Sequence, residues 1–281
     1  MPKREPKTHI GLAVHTPKAE RQMRKKMLAS DKIFLEMGPA KHSKELADGT
    51  FKTFKEWQKA KSQQVILPIS KEHKQAREKT IKQLMTENKQ IFFVETSEKT
   101  EEYSMQEDQA RAKVIELVKS AKGEPQDYDK IMKLIVHQAS LRSKFYKSHN
   151  QDRLKWFKKN KHLLSGKVFI ESGAGHQELV KDLERIGIKT EKKYYGDADK
   201  ALKDPLEQLT RHLASPKPDQ DKTKELAAHT LMDYVKELEK ENTHMSGTSK
   251  HLEEMIKEFD EGDGLHPALM RYRKSYMEWL K

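Results

Sequence analysis

Five imidazole or carboxylate side chains stand at or near the ends of short apolar runs. His15 closes His9-Ile-Gly-Leu-Ala-Val-His15, and Glu36 sits inside Lys32-Ile-Phe-Leu-Glu-Met-Gly38. Glu95 falls near the end of Gln90-Ile-Phe-Phe-Val-Glu-Thr96, Glu171 lies in Val168-Phe-Ile-Glu-Ser172, and His176 follows Gly173-Ala-Gly175. A carboxylate inside an apolar run is costly to bury unless it is paired or ligates something. His176 is the one side chain of its turn able to bind a metal or move a proton near neutral pH. Imidazole and carboxylate together suit a divalent cation such as Mn, Co, Fe or Zn. The same set also serves as general acid and base without metal.

The elements that would bring these residues together are read from periodicity. Residues 167–187 begin as a β-branched and aromatic run and turn at Gly-Ala-Gly. They continue with Leu179, Val180, Leu183 and Ile186 at helical spacing, and Gly187 supplies a stop. That is one βα unit. Further strands are expected over 9–15, 32–38, 64–70, 90–96 and 190–195, with Pro68 placing the 64–70 run at an edge or strand end. Helices are expected between them: from Pro17 to about Ser30 with Thr16 as N-cap, over 42–61 with a break near Asp48-Gly49, over 71–88, from Ser97 or Thr100 to about 121, and over about 126–164 in one piece or two.

Strands alternating with helices predict an α/β fold, a three-layer and mostly parallel sheet with flanking helices. The α/β domain spans residues 9–196. From 197 to 281 the pattern is helical throughout (198–213, 219–241, 249–259 and 267–280), which reads as a helical extension packed on that domain. In a parallel sheet the C-terminal strand ends share one rim, where ligands collect. His15, Glu36, Glu95, Glu171 and His176 would all meet there.

Composition bounds the rest. The chain has 281 residues, no cysteine, and 56 Lys+Arg against 44 Asp+Glu, a formal net charge of +12. Without cysteine there are no disulfides, zinc–thiolate sites or cysteine nucleophiles. The lysines scatter over helix faces, so a solvated surface explains the charge better than a dedicated phosphate-binding site, which would want Arg clusters or interleaved aromatics. An acidic or nucleic-acid partner on that basic surface stays open. The first residues lack a signal peptide's apolar core and no run is long enough to span a bilayer, so the expectation is a cytoplasmic protein with no membrane partner.

Two family resemblances follow from the motifs. Glu171-Ser-Gly173-Ala-Gly175 looks like the first loop of S-adenosylmethionine-dependent methyltransferases, but Gln177 stands where a third small residue belongs and the next strand lacks a ribose-binding acid. The order of elements more fully resembles the TraB/PrgY/TIKI/GumN group of the erythromycin esterase/ChaN-like superfamily. Leu12-Ala-Val-His15, Phe34-Leu-Glu36, Gly173-Ala-Gly-His176 and the stretch His149-Asn-Gln-Asp-Arg153 occupy the places of its motifs, with Leu12 and Ala13 replacing the usual Gly and Thr. This resemblance covers roughly residues 9–196. It implies a site built from His15, Glu36, Arg153 and His176, joined by Glu95.

Activities in that superfamily differ (metal-dependent proteolysis, ester hydrolysis, haem or iron binding), so the resemblance does not choose the reaction; the residue set favours metal-dependent hydrolysis of a peptide or small ester. His176, Glu36 and His15 would hold the cation, Glu95 or Glu171 would accept a proton, and Arg153 would face an oxyanion or substrate carboxylate. The competing expectation is a non-catalytic protein that binds haem, iron or nucleic acid.

Overall fold

The computed structural model describes residues 8–14, 16–36, 71–94, 97–121 and 125–241. The expected strand at 64–70 and the expected helices at 42–61, 249–259 and 267–280 lie outside these residues, as do His15 and Glu95.

Among the described residues the sheet has five strands, all parallel: β1 (Thr8–Ala13), β2 (Lys32–Leu35), β3 (Gln90–Phe93), β4 (Val168–Gly173) and β5 (Thr190–Tyr195), in the order β3-β2-β4-β1-β5. The helices are α1 (Pro17–Leu28), α2 (Lys71–Thr86), α3 (Glu98–Ser120), α4 (Pro125–Lys159), α5 (Glu178–Arg185), α6 (Ala198–Ala201), α7 (Pro205–Leu213) and α8 (Gln220–Glu241). A short 3-10 turn, Lys161–Leu164, follows α4.

The two faces of the sheet can be read from strand alternation. Ile33 and Leu35 of β2 and Phe169 of β4 point to a core completed by Ala19, Met23 and Met27 of α1 and Ile81 and Leu84 of α2. Ile10, Leu12, Phe34, Val168 and Ile170 point the other way, against Phe157 of α4 and Leu179, Val180 and Leu183 of α5. Helices therefore cover both faces, and the α/β three-layer expectation holds.

Local chemistry explains the boundaries. Thr16 caps α1, its Oγ1 accepting from Ala19 N at 3.2 Å, with Pro17 in the first turn where no N–H is needed. Ser97 caps α3, its Oγ accepting from Thr100 N at 3.4 Å. Gly187 ends α5 with φ +80, a left-handed conformation that glycine adopts without penalty. The helix expected over 198–213 is instead two, because Asp204 caps a new one (Glu207 N to Oδ1, 3.1 Å) whose first residue, Pro205, has no N–H to continue the old.

The chain divides into two compact units, residues 1–101 with 146–202 and residues 102–145 with 203–281. The first holds the sheet. In the second, Val114, Val118, Ile131 and Ile135 share an apolar core with Leu209, Leu226, Leu231 and Val235. A polar chain, buried at one end and half-buried at the other, lies in the same unit: Tyr234 donates to Gln138 (2.9 Å), and Gln138 and Arg142 both donate to Glu107 (2.8 Å each). No helix of the described residues is long and apolar enough to cross a membrane.

One feature of the topology positions the site. Among the described residues β2 and β4 are neighbours, with β3 beside β2 on one side of the pair and β5 on the other side, beyond β1. Such a reversal of strand order is a topological switch point, and the C-terminal rim there is the usual place for a ligand in an open parallel sheet.

Candidate metal centre

Glu36 follows directly on β2, and His176 stands two turn residues beyond β4, both at that rim. The strand beneath Glu36 is anchored by Phe34, whose ring stacks on Phe92 (centroids 4.8 Å) and meets Trp156 and Phe157 edge-on at 5.6 and 5.5 Å. Full burial of such a ring contributes about 1.5–3 kcal/mol, enough to hold the end of β2 in register.

The floor of the site comes from α4. Tyr146, His149, Asn150 and Arg153 are spaced i, i+3, i+4 and i+7, so they form one stripe on that helix. His149 Nδ1 lies 3.3 Å from His176 Nε2 and 3.7 Å from Glu36 Oε1, and His176 Nε2 is 3.3 Å from Glu36 Oε1. The three residues form a group able to hold a metal ion. The centre of a triangle with those edges is about 2.0 Å from each corner, close to a zinc–imidazole or zinc–carboxylate bond length. Two imidazoles and one carboxylate would supply three of the ligands such an ion takes.

Each donor is oriented by a neighbour. His176 Nδ1 is 2.8 Å from Asn150 Oδ1, an acceptor, so Nδ1 carries the proton and Nε2 presents its lone pair to Glu36 and His149. His149 is buried, and burial, followed by the repulsion of His176 and Arg153 against the pull of Glu36, pushes its pKa well below the ordinary value. The ring is neutral at physiological pH, the form that ligates.

Arg153 is fully buried. Its Nη1 donates to Ser172 Oγ (2.8 Å) and to Glu36 Oε1 (3.3 Å), and its Nη2 donates to the Glu171 carbonyl (2.7 Å). Burial lowers its pKa while Glu36 and Glu171 oppose the shift, and a guanidinium stays charged regardless.

The glycines of the turn make room for protein side chains. A Cβ on Gly175 would fall 2.4 Å from Tyr146 Cζ, and one on Gly173 would fall 3.1 Å from Glu36 Oε2. Tyr146 in turn packs edge-to-face on the His176 ring, centroids 4.7 Å apart.

Of the residues singled out from sequence, Glu36, Arg153, Glu171 and His176 converge on the rim between β2 and β4. Glu171 faces the opposite side of β4 from Ser172, and both its carboxylate oxygens are taken by Arg77 of α2. His15 and Glu95 fall outside the described residues. Sequence reasoning missed His149 as a donor, Asn150 as its neighbour's orienter, and Arg77. The helical stripe through Arg153 was the available signal for the first two.

Fold and site together define a class: a parallel α/β protein with a buried two-histidine, one-glutamate group at the switch point of its sheet. No family model, curated protein or solved structure matches the chain.

Proposed function

We propose that this protein is a metal-dependent hydrolase whose centre is Glu36, His149 and His176, acting on a peptide or small ester. The observation that carries the reading is the triangle of donor atoms, 3.3, 3.3 and 3.7 Å on edge, at the C-terminal rim of the sheet. Those edges suit a bare ion; a porphyrin has no room among three donors so close, which favours this reading over haem binding.

A divalent cation at such a centre lowers the pKa of a coordinated water toward neutrality and polarises a carbonyl. The residues of the chain supply the rest. Asn150 holds the tautomer of His176, and the depressed basicity of His149 keeps that ring unprotonated and available. Arg153, 3.3 Å from Glu36 Oε1, holds that carboxylate oxygen on the side of the imidazoles. Tyr146, against the His176 ring, walls one side of the centre. Glu95 remains the proposed proton acceptor, and membership of the TraB/PrgY/TIKI/GumN group remains part of the same reading.

The test is protein purified without chelator, analysed for metal, then stripped and reloaded with Mn, Co, Fe or Zn and assayed on nitrophenyl esters and a fluorogenic peptide library. One ion per chain is expected, with hydrolysis that disappears on stripping and in His176→Ala. A chain that takes up none of the four ions, with wild-type thermal stability unchanged by any of them, would rule the proposal out.

A further inference from the structure

On the face of the sheet away from the histidines, Arg77 of α2 lies between two buried carboxylates. Its Nη1 donates to Glu20 Oε2 of α1 (3.0 Å) and to Glu171 Oε1 of β4 (2.7 Å), and its Nη2 closes a second, very short contact to Glu171 Oε2. The fork therefore grips both oxygens of Glu171, the bidentate geometry a guanidinium favours. Glu20 is 1 % exposed and Glu171 4 %. Burial raises the Glu20 pKa, but Arg77, with His73 and Thr80, outweighs it and holds the carboxyl down at about 2, so the group is ionised.

A buried ionic triad is a weak source of stability, because desolvating three charges offsets most of their attraction; apolar replacements of equal volume are often neutral or better. Its placement points elsewhere. Glu171 Oε2 also accepts the backbone N–H of Glu36 at 3.1 Å, and the Glu171 carbonyl accepts Arg153 Nη2 at 2.7 Å. Arg153 in turn reaches Glu36 Oε1. One residue of β4 thus fixes Glu36 twice, through its main chain from one face of the sheet and through Arg153 from the other. β2 ends at Leu35, so its ladder does not extend to Glu36.

We infer that Arg77, through Glu171, is a positioning residue for the Glu36 carboxylate, and that Glu20 anchors Arg77 for this task. The inference rests on Glu36, His149 and His176 being cation ligands. Arg77 touches none of the three; it sets where one of them stands, in the manner of outer-shell partners whose loss costs about 10–100-fold in metal affinity.

The experiment measures Zn(II) and Co(II) affinity, together with the Co(II) visible spectrum, for the wild type, Arg77→Met, Arg77→Lys and the ligand control His149→Ala. The first variant removes the charge; Arg77→Lys keeps it but cannot grip both oxygens of Glu171. Both Arg77 variants are expected to bind Co(II) about 10–100-fold more weakly, with an altered visible spectrum, at a temperature where circular dichroism shows them folded; the thermal midpoint of Arg77→Met should fall, because two buried carboxylates lose their partner. Should Arg77→Met fail to fold, Arg77→Lys alone decides, with the same expected loss. Wild-type affinity and spectrum in a folded Arg77 variant overturn the positioning role while leaving the metal centre intact. A wild type that binds neither ion overturns the metal reading itself, and the positioning role with it.

Discussion

His149 Nδ1 and His176 Nε2 face each other across 3.3 Å in the interior of the first unit, one from a helix and one from a turn. With Asn150 claiming the proton on His176 Nδ1, the nitrogen that faces His149 has a lone pair and no hydrogen. That lone pair, His149 Nδ1 and the Glu36 carboxylate make a place for a cation. Replacing either histidine with alanine should lower divalent-metal affinity by more than about 100-fold, beyond the usual outer-shell effect. Isothermal titration of the stripped protein with Zn(II) checks this, and a variant binding within a factor of three of wild type would remove that histidine from the ligand set.

Asn150 acts only as an acceptor in this scheme. Asn150→Leu should therefore weaken metal binding about 10-fold or more, whereas Asn150→Asp, which still accepts from Nδ1, should stay close to wild type. Equal losses in both variants would mean that Asn150 serves packing and not the tautomer. The readout is the Co(II) titration midpoint of the two proteins side by side.

Gly175 is held to glycine by the Tyr146 ring, which leaves no space for a Cβ. Gly175→Ala should destabilise the fold by about 1–3 kcal/mol through overpacking. Adding Tyr146→Ala should make the two effects non-additive, since the second change removes the atoms that the first would strike. Urea denaturation of the two single variants and the double variant measures the coupling.

Acid should loosen the interface between α1 and α2. The Glu20 carboxyl is held down at about 2 against a usual value of 4.5. A depressed folded-state pKa contributes stability that is complete above the unfolded value and is lost as pH falls from about 4.5 toward 2. Glu20→Gln should cost on the order of 3 kcal/mol at neutral pH by leaving Arg77 half-paired, and should flatten the stability curve over that acid interval. Thermal midpoints of both proteins between pH 7 and pH 3 test the sign; parallel curves would assign the acid transition to other carboxylates.

Much of the frame was legible from the chain alone, because its signals are local. Alternating and helical periodicities located β1 to β5 and the helices that carry them. Thr16, Pro17 and Gly187 marked boundaries by conformations that only their own side chains dictate. Glu36 and His176 stood out for the same kind of reason, an acid in an apolar run and an imidazole behind two glycines. The single helix expected at 198–213 misjudged Pro205, whose missing N–H starts a new helix at an Asp cap.

The partners of those residues were decided only by tertiary structure. His149 looks like any polar residue of a long helix until the packing of residues 146–159 against the sheet brings it beside Glu36 and His176. Arg77, 94 positions from Glu171, becomes its clamp only because α2 lies against that face of β4. Sequence alone determined which segments are strands and helices and which residue types could do chemistry, since those follow from each segment's own propensities. The strand order β3-β2-β4-β1-β5, and with it the meeting of Glu36, His149 and His176, depends on contacts between segments far apart in the chain, and no local pattern encodes those.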